Sequence, residues 1–323
     1  METYLNRLSR VLDVEYKQTP LTSPMLLPRP RDRRVDVPEI DINMLDFLSL
    51  YGCELQLVVG ERNSILGRLM TPLNQLRYDL LFIESAQQCL MQITAPRLKT
   101  SLQQAIEQKR LRLPETSWNA IWAGEPMAEL LTLSKGPLKS GNHERAEQTE
   151  LVAGLSYTRD KVKQLARSNH RVSVGKLSQI QHKWTFSHKA GQLLNSARLI
   201  TMQLAQATAL IEQRLHEKPL CYLSKPNAQA RRVKGVFFHV YIARVQPYIS
   251  EVSRAGKQIF SLLDEIAGLQ TESMPEPFKL YYRQVLDVDN ESGVWSQFEH
   301  AIERHTKSWQ ALLTQCGMQP MAA

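Results

Sequence analysis

Apolar residues recur at steps of three and four positions through most of this 323-residue sequence. One such run is Leu151, Leu155, Thr158, Val162 and Leu165, and a longer one is Leu193, Ala197, Ile200, Leu204, Ala207 and Ile211. These steps place apolar side chains on one face of an α-helix. Two such runs are typical of helices packed nearly antiparallel along a seam. No alternating pattern of useful length predicts a strand. We therefore expect an all-α fold, a multi-helix bundle of antiparallel helical hairpins.

Prolines divide the chain near its start. Residues 2–14 have the pattern of a short amphipathic helix, whereas residues 19–38 contain five prolines, a density at which we expect no helix. We expect 1–40 to be an N-terminal helix with an extended surface connector, and 41–323 to be a single α-helical domain. The stretch 134–142, SKGPLKSGN, is the most linker-like segment and the place where that domain could divide.

Caps and breakers set the expected helix boundaries. Thr71 followed by Pro72 is an N-cap with proline at the first helical position, so one helix should end and another begin there. Pro247 should bend a long helix. The expected helices are 42–70, 72–93, two within 143–217, 228–268, 276–287 and 294–315, with shorter pieces in 96–133 broken at Pro114, Gly124 and Pro126.

The net charge of +8 is concentrated in one segment. Residues 159–198 contain nine Lys or Arg and one acid, Asp160. A basic stripe attracts phosphates of nucleic acid or lipid headgroups, although a solvated helix face has the same composition. The candidates for contact with an anionic surface are Lys161, Lys163, Arg167, Lys183 and Lys189. Nucleic acid is the less favoured partner, because the sequence has no helix-turn-helix or RNA-binding signature.

Membrane-spanning and targeting signals are weak. No apolar stretch approaches the roughly 20 residues that a transmembrane helix needs, and the best run, 236–243, contains His239. The first six residues lack the basic start and apolar region of a signal peptide. Taken alone, these features predict a cytoplasmic protein without a transmembrane span.

The four cysteines favour two disulfides. Cys53 lies 18 residues before Thr71 and Cys89 lies 18 residues after it, which puts both at the same height in a helical hairpin. The two cysteines could form a disulfide if they also lie on the facing sides of the two helices. By exclusion, Cys221 in an interhelical loop would pair with Cys316 after the last helix. The alternative is four buried thiols in a reducing cytosol.

A polar cluster interrupts the apolar stripe of the first long helix. Its members are Glu61, Arg62, Asn63, Ser64 and Arg68. The cluster could be a buried hydrogen-bond network that fixes helix register, or it could line a ligand pocket. Catalysis is less favoured, since no nucleophile is paired with a base.

We expect no catalytic residue, no cofactor and no metal. The sequence has no glycine-rich phosphate loop, dinucleotide fingerprint, Cys-x-x-Cys or Gly-x-Ser-x-Gly motif. His300 and His305 are the nearest approach to a zinc pattern, but a five-residue step points them apart on a helix.

Several short motifs occur in a fixed order along the chain. They are residues 6–14 before a proline- and arginine-rich stretch, 45–48, 53–55, 61–64 with 66–68, 244–248, and 305–309 with Cys316 and Gly317. This set resembles an uncharacterised gammaproteobacterial family known as domain of unknown function 3080, over essentially the whole chain. The family brings no established activity and no catalytic residues.

The resemblance implies an oxidising envelope compartment, in agreement with the cysteines. Members typically begin with a lipoprotein signal, a start that this chain lacks. The resemblance therefore predicts a non-catalytic, periplasm-facing envelope protein, lipid-anchored in a full-length form that carries the signal. Such a binding or scaffold module would contact an envelope protein or an anionic membrane surface. The alternatives are a cytosolic nucleic-acid-binding protein that uses 159–198, and an enzyme or ligand-binding protein that uses Glu61, Asn63 and Arg68.

Overall fold

The fold of the chain is described here from a computed structural model. The structure describes residues 2–17, 20, 22–38, 52–63, 70–139, 144–167 and 171–319. The α-helices are α1 Glu2–Leu12, α2 Pro30–Arg33, α3 Leu55–Asn63, α4 Pro72–Leu90, α5 Pro96–Trp118, α6 Glu125–Leu130, α7 Glu144–Ala166, α8 Gly175–Ser187, α9 Lys189–Glu217, α10 Ala228–Val236, α11 Gln246–Gly268, α12 Glu276–Tyr281 and α13 Val294–Gln315. These residues contain no β-strand, and the expected all-α class is confirmed.

Proline breaks the helices less often than predicted. Pro114 lies inside α5, where we expected a break, and Leu113 and Trp118 on either side of it are buried. This burial offsets the cost of about 3 kcal/mol that an interior proline imposes. The connector also contains one helical turn, α2, where none was expected. Pro30 is at the first position of that turn, where proline is well tolerated.

The helix around Pro247 contains a wider, π-helical segment that relieves the backbone clash expected of an interior proline. A π-helical segment, Phe237–Val245, joins α10 to α11, and the Gln246 N–H bonds to the carbonyl of Tyr241, five residues back. A proline ring normally clashes with the carbonyl four residues before it, and the wider turn directly upstream changes the position of those carbonyls. The region is thus helical from residue 228 to residue 268, as predicted.

The long helices pair with different neighbours from those expected. α7 packs mainly on α11, and α9 packs mainly on α13. In the second pair, Thr208 lies opposite His305 at 3.1 Å, and the Leu220 N–H donates to Gln315 at 2.7 Å. The residue numbers rise together along both helices, so α9 and α13 run parallel. The antiparallel seam predicted for the helix that contains 193–211 is not formed by this pair.

The N-terminal helix belongs to the core. Leu5, Leu8 and Leu12 are buried where α1 packs against α9 and α10. Tyr4, on the same face, is 1% exposed and reaches the last helix. The division into a connector at 1–40 and a single domain at 41–323 stays a prediction.

Tyr4 is held by a buried hydrogen-bond chain. The Trp309 indole N–H, which can only donate, bonds to the Tyr4 oxygen at 2.8 Å. The Tyr4 hydroxyl lies 2.7 Å from Nε2 of His305 and donates to it. Burial lowers the pKa of His305 to about 3, so its ring is neutral. We therefore place the ring proton on Nδ1, which faces Thr208.

Both predicted cysteine pairs are bonded in the structure, and none of the four cysteines is free. Cys53 and Cys89, with Cα atoms 5.6 Å apart, join the turn before α3 to the last turn of α4. Cys221 and Cys316, with Cα atoms 5.1 Å apart, join the loop after α9 to the end of α13. Within the part of the chain that the structure describes, no helix is long and apolar enough to cross a membrane.

Two glycines should respond oppositely to alanine. A Cβ at Gly191 in α9 would lie 1.9 Å from the backbone oxygen of Thr132, whereas a Cβ at Gly235 in α10 would meet nothing within 4 Å. We expect Gly191→Ala to lower the free energy of unfolding by about 1–3 kcal/mol. Gly235→Ala should raise it by about 0.5–1 kcal/mol, because alanine favours the helix. Urea unfolding of both variants measures this, and a change of the same sign in both would contradict the packing described.

Candidate functional site

A polar cavity of about 140 Å³ lies between the connector, α3, α4 and α5. Its ionisable lining residues are Arg34, Asp36, Arg62, Asp79, Lys109 and Arg112, and its other polar lining residues are Asn63, Gln75, Tyr78, Thr116 and Asn119. The cavity is smaller than the roughly 300–1,000 Å³ of drug-sized ligand pockets. It could hold a small ion or a few water molecules, but not a nucleotide.

A buried ion pair forms the inner wall. Lys109 Nζ lies 2.6 Å from Asp79 Oδ1, and both side chains are about 5% exposed. The ammonium also lies 4.8 Å from the ring centroid of Tyr78 and 5.0 Å from that of Phe82, a cation–π arrangement. Gln75 donates to the same carboxylate at 3.1 Å. The two most buried charges in the cavity thus satisfy each other.

Helix periodicity brings these groups together. Gln75 and Asp79, and likewise Tyr78 and Phe82, are four residues apart on α4 and share a face with their partner. α4 begins as the sequence predicted, with the Thr71 hydroxyl accepting the Asn74 N–H at 3.3 Å.

The connector closes one side of the cavity. The Asn119 side chain accepts the Val35 N–H at 2.9 Å and donates to the Val35 carbonyl at 2.8 Å. The Trp118 indole N–H donates to the carbonyl of Arg33 at 2.8 Å. The buried Arg33 donates in turn to the carbonyls of Pro28 and Gly124 at 3.0 and 3.1 Å. The segment 34–38 is therefore a fixed wall of the cavity.

The lining is cationic in sum. Among the described residues that line the cavity, four are Lys or Arg and two are Asp. Arg62 lies with its guanidinium carbon 5.9 Å from the Tyr78 ring centroid, and Arg112 is 3.1 Å from Glu115. Guanidinium groups suit carboxylate and phosphate oxygens. The arrangement is therefore suited to a small anion.

The predicted polar cluster contributes two residues to the cavity. Arg62 and Asn63 line it, whereas Glu61 is exposed and does not. Ser64 and Arg68 lie outside the described residues. Reasoning from the sequence missed Asp79 and Lys109. The signal for Asp79 was a carboxylate directly before the apolar run 80–83 and three residues after Leu76.

The basic segment is not one exposed stripe. Its described residues lie on or beside α7, α8 and α9. The Lys189 side chain is only 2% exposed, with its Nζ 3.5 Å from the Glu147 carboxylate, so its expected exposure was wrong. Lys183 is exposed but paired with Glu150. Carboxylates distant in the sequence thus neutralise part of the predicted surface.

Three of the predicted contact residues remain together at the end of α7. Lys163 and Arg167 are exposed. Lys161 is half-buried, with its Nζ 5.2 Å from the Tyr157 ring centroid. Their role as a contact surface stays a prediction.

A larger, apolar groove of about 610 Å³ lies between α7 and α8. Its walls include Leu151, Ile180 and Trp184, and Phe186 at the edge is 70% exposed. The charges on its rim are engaged with each other, as in the pair of Lys183 with Glu150. The groove therefore gives no indication of a ligand class, and the polar cavity is the better candidate site.

The fold and the site define an all-α, doubly disulfide-bonded protein with a cationic cavity. The chain belongs to the family described as protein of unknown function (DUF3080), whose model matches residues 1–320. The resemblance to domain of unknown function 3080 that the sequence motifs indicated is thereby confirmed. Neither the curated proteins nor the solved structures gave a match to the chain.

Proposed function

We propose that this chain is a non-catalytic binding protein of the cell envelope, which holds a small anionic ligand in the polar cavity. The observation that carries the proposal is the surplus of Lys and Arg over Asp in a cavity of about 140 Å³. A carboxylate or phosphate-sized anion is the ligand that these donors recognise best.

An extracytoplasmic, periplasm-facing location is part of this proposal. Disulfides persist in oxidising compartments and are rare in the cytosol, and both cysteine pairs are bonded. We propose in addition that a full-length form with a lipoprotein signal is lipid-anchored. The partners would then be other envelope components.

Binding is favoured over catalysis by the state of the buried charges. Lys109 and Gln75 both bind the Asp79 carboxylate, so the buried charges form a structural pair. The alternative of an enzyme site on Glu61, Asn63 and Arg68 has less support, because Glu61 is exposed and does not line the cavity. The cytosolic nucleic-acid alternative is weakened by the burial of Lys189.

The test is isothermal titration of the purified chain with inorganic phosphate, sulfate and citrate at low salt. We expect at least one anion to bind, and the double variant Arg62→Gln/Arg112→Gln to bind it at least about tenfold more weakly. Each charge-assisted contact is worth roughly 1.5–3 kcal/mol, and about 1.4 kcal/mol is tenfold in affinity.

Arg97→Gln is the matched control. Arg97 is exposed in the first turn of α5 and does not line the cavity, so its replacement removes charge without touching the site. The proposal fails if no anion binds the wild-type chain, or if the control weakens binding as much as the double variant does.

A further inference from the structure

The loop between α9 and α10 presents two apolar side chains to solvent. Tyr222 is 83% exposed and Leu223 is 79% exposed. The residues beside them, Leu220 and Cys221, are buried at 2% and 5%. We refer to residues 218–227 as the Tyr222 tip. Its base is part of the core, and its end projects outward.

The tip is held rigidly. The Lys225 N–H donates to the Tyr222 carbonyl at 3.1 Å, and Leu223 and Ser224 between them both have left-handed φ values, +50° and +53°. These are the angles of a tight hairpin turn that usually requires Asn or Gly. A leucine is unfavourable there, and strain of this kind clusters at functional positions.

Three constraints fix the base of the tip to the last helix and to itself. Cys221 is bonded to Cys316. The Leu220 N–H donates to Gln315 at 2.7 Å. Asn227 donates to the carbonyl of Leu220 at 2.7 Å. The disulfide of Cys221 and Cys316 thus fixes the base of a loop whose Tyr222 and Leu223 side chains are exposed to water.

The surroundings of the tip are strongly basic. Between residues 218 and 234 the sequence has five cations and no carboxylate. The cations are Lys218, Lys225, Arg231, Arg232 and Lys234, and all five are exposed. This segment has no acid at all, in contrast to 159–198. Glu217, which directly precedes Lys218, is exposed as well, so the segment 217–234 that holds the two apolar side chains is cationic in sum.

We propose that the Tyr222 tip inserts Tyr222 and Leu223 into the headgroup region of an anionic lipid bilayer, with the flanking lysines and arginines on the lipid phosphates. The inference is independent of the ligand proposed for the polar cavity. Tyrosine is suited to the boundary between headgroups and acyl chains, and clustered Lys and Arg are attracted to anionic lipid.

The shape of the tip favours a bilayer over other occupants. It is convex, so it cannot enclose a small molecule. Two side chains are also far too few for a stable protein interface, which buries about 800 Å² on each partner. A lipid surface, in contrast, adapts to a small wedge with basic residues around it.

The tip and the predicted surface at the end of α7 lie at opposite ends of the helical body. The ring of Tyr241 packs on His305, at the level of Thr208 in α9. Seven residues further along the chain, the Tyr248 hydroxyl lies 2.9 Å from the Ser196 hydroxyl, nearer the start of α9. α11 therefore runs away from the tip.

At its far end α11 reaches α7, where Glu265 pairs with Arg159 at 3.2 Å. Lys161, Lys163 and Arg167 follow Arg159 on α7. The Tyr222 tip and these three residues therefore lie on separate parts of the helical body, and the two surfaces can be tested separately.

The test is sedimentation of the purified chain with vesicles of equal parts phosphatidylglycerol and phosphatidylethanolamine, and with pure phosphatidylcholine vesicles. We expect binding to the anionic vesicles only. Tyr222→Ser/Leu223→Ser should weaken it at least about tenfold, since each lost apolar anchor weakens partitioning several-fold. Lys218→Gln/Lys225→Gln should weaken it and reduce its salt dependence.

Leu111→Ser/Phe186→Ser is the matched control, since both side chains are 70% exposed and lie away from the tip. Its vesicle binding should equal that of the wild type. A second readout is Tyr222→Trp, whose fluorescence should be quenched by brominated lipid in the anionic vesicles. The wild-type tryptophans are buried, so brominated lipid should leave their emission unchanged, and the quenching is measured as the difference between the variant and the wild type.

The proposal is overturned if the wild type does not bind anionic vesicles, or if the serine variant of the tip binds like the wild type. If vesicle binding is lost only in the variant Lys161→Gln/Lys163→Gln/Arg167→Gln, the bilayer contacts the end of α7 and not the Tyr222 tip. Self-association that disappears in the tip variant, without vesicle binding, would assign the tip to a second copy of the chain and also overturn the proposal.

Discussion

Replacing Cys221 and Cys316 together with alanine lowers the free energy of unfolding by about 4.7 kcal/mol, and replacing Cys53 and Cys89 lowers it by about 3.8 kcal/mol. The difference follows from loop length, because the bonds close loops of 95 and 36 residues and the longer loop restricts the unfolded chain more. Either loss is large beside a typical stability of about 5–15 kcal/mol.

Alanine is the suitable replacement because Cys89 and Cys316 are buried, and a serine hydroxyl there would add a separate penalty. Urea unfolding of both double variants gives the two values. The variant without any cysteine is the control, since its stability should not respond to a reducing agent. Equal stability of the wild type with and without reductant would refute the assignment of the disulfides as major stabilising elements.

Replacing Asp79 with asparagine destabilises the fold by about 3–5 kcal/mol, the usual cost of leaving a buried charge without its partner. Lys109 is 5% exposed, and among the residues that the structure describes its ammonium pairs with one carboxylate, that of Asp79. Removing both charges in Asp79→Leu/Lys109→Met should restore most of the loss, because apolar residues of similar volume often replace a buried pair at little cost. Urea unfolding of Asp79→Leu, of Lys109→Met and of the double variant measures the coupling.

The variants of Asp79 and Lys109 also separate the role of the buried pair in stability from its role in anion binding. If the double variant is stable but binds no anion, the buried pair is retained for the ligand. An Asp79→Asn variant as stable as the wild type would show that water reaches Lys109, and the description of a closed inner wall would be wrong.

Local structure was predictable because the residues that decide it are neighbours in sequence. The spacing of apolar residues gave the helices, and Thr71 with Pro72 gave the start of α4. The pairing of Cys53 with Cys89 followed from their equal distances to the same turn. Each of these depends only on helix geometry and on residues within one hairpin.

Tertiary partners were not predictable in the same way. An apolar stripe indicates that a helix packs against a neighbour, but it does not identify that neighbour. The contacts of α7 and α9 therefore differed from expectation. The burial of Lys189 depends on Glu147, 42 positions earlier. Asp79 finds its counter-charge 30 positions later, at Lys109. The charge of the Tyr222 tip, in contrast, could have been found by counting, since no carboxylate occurs from 218 to 234.

The contact of Tyr4 with Trp309 also determines when the protein can finish folding. A chain made at roughly 5–20 residues per second supplies Trp309 about 15–60 s after Tyr4. Until α9 and α10 have been made, α1 has an apolar face without the helices on which it packs. The disulfide of Cys53 and Cys89 can close early, whereas the bond from Cys221 waits for Cys316. The newborn chain therefore carries an amphipathic helix that packs in two stages, its leucines on α9 and α10 first and its Tyr4 hydroxyl on the last helix at the end.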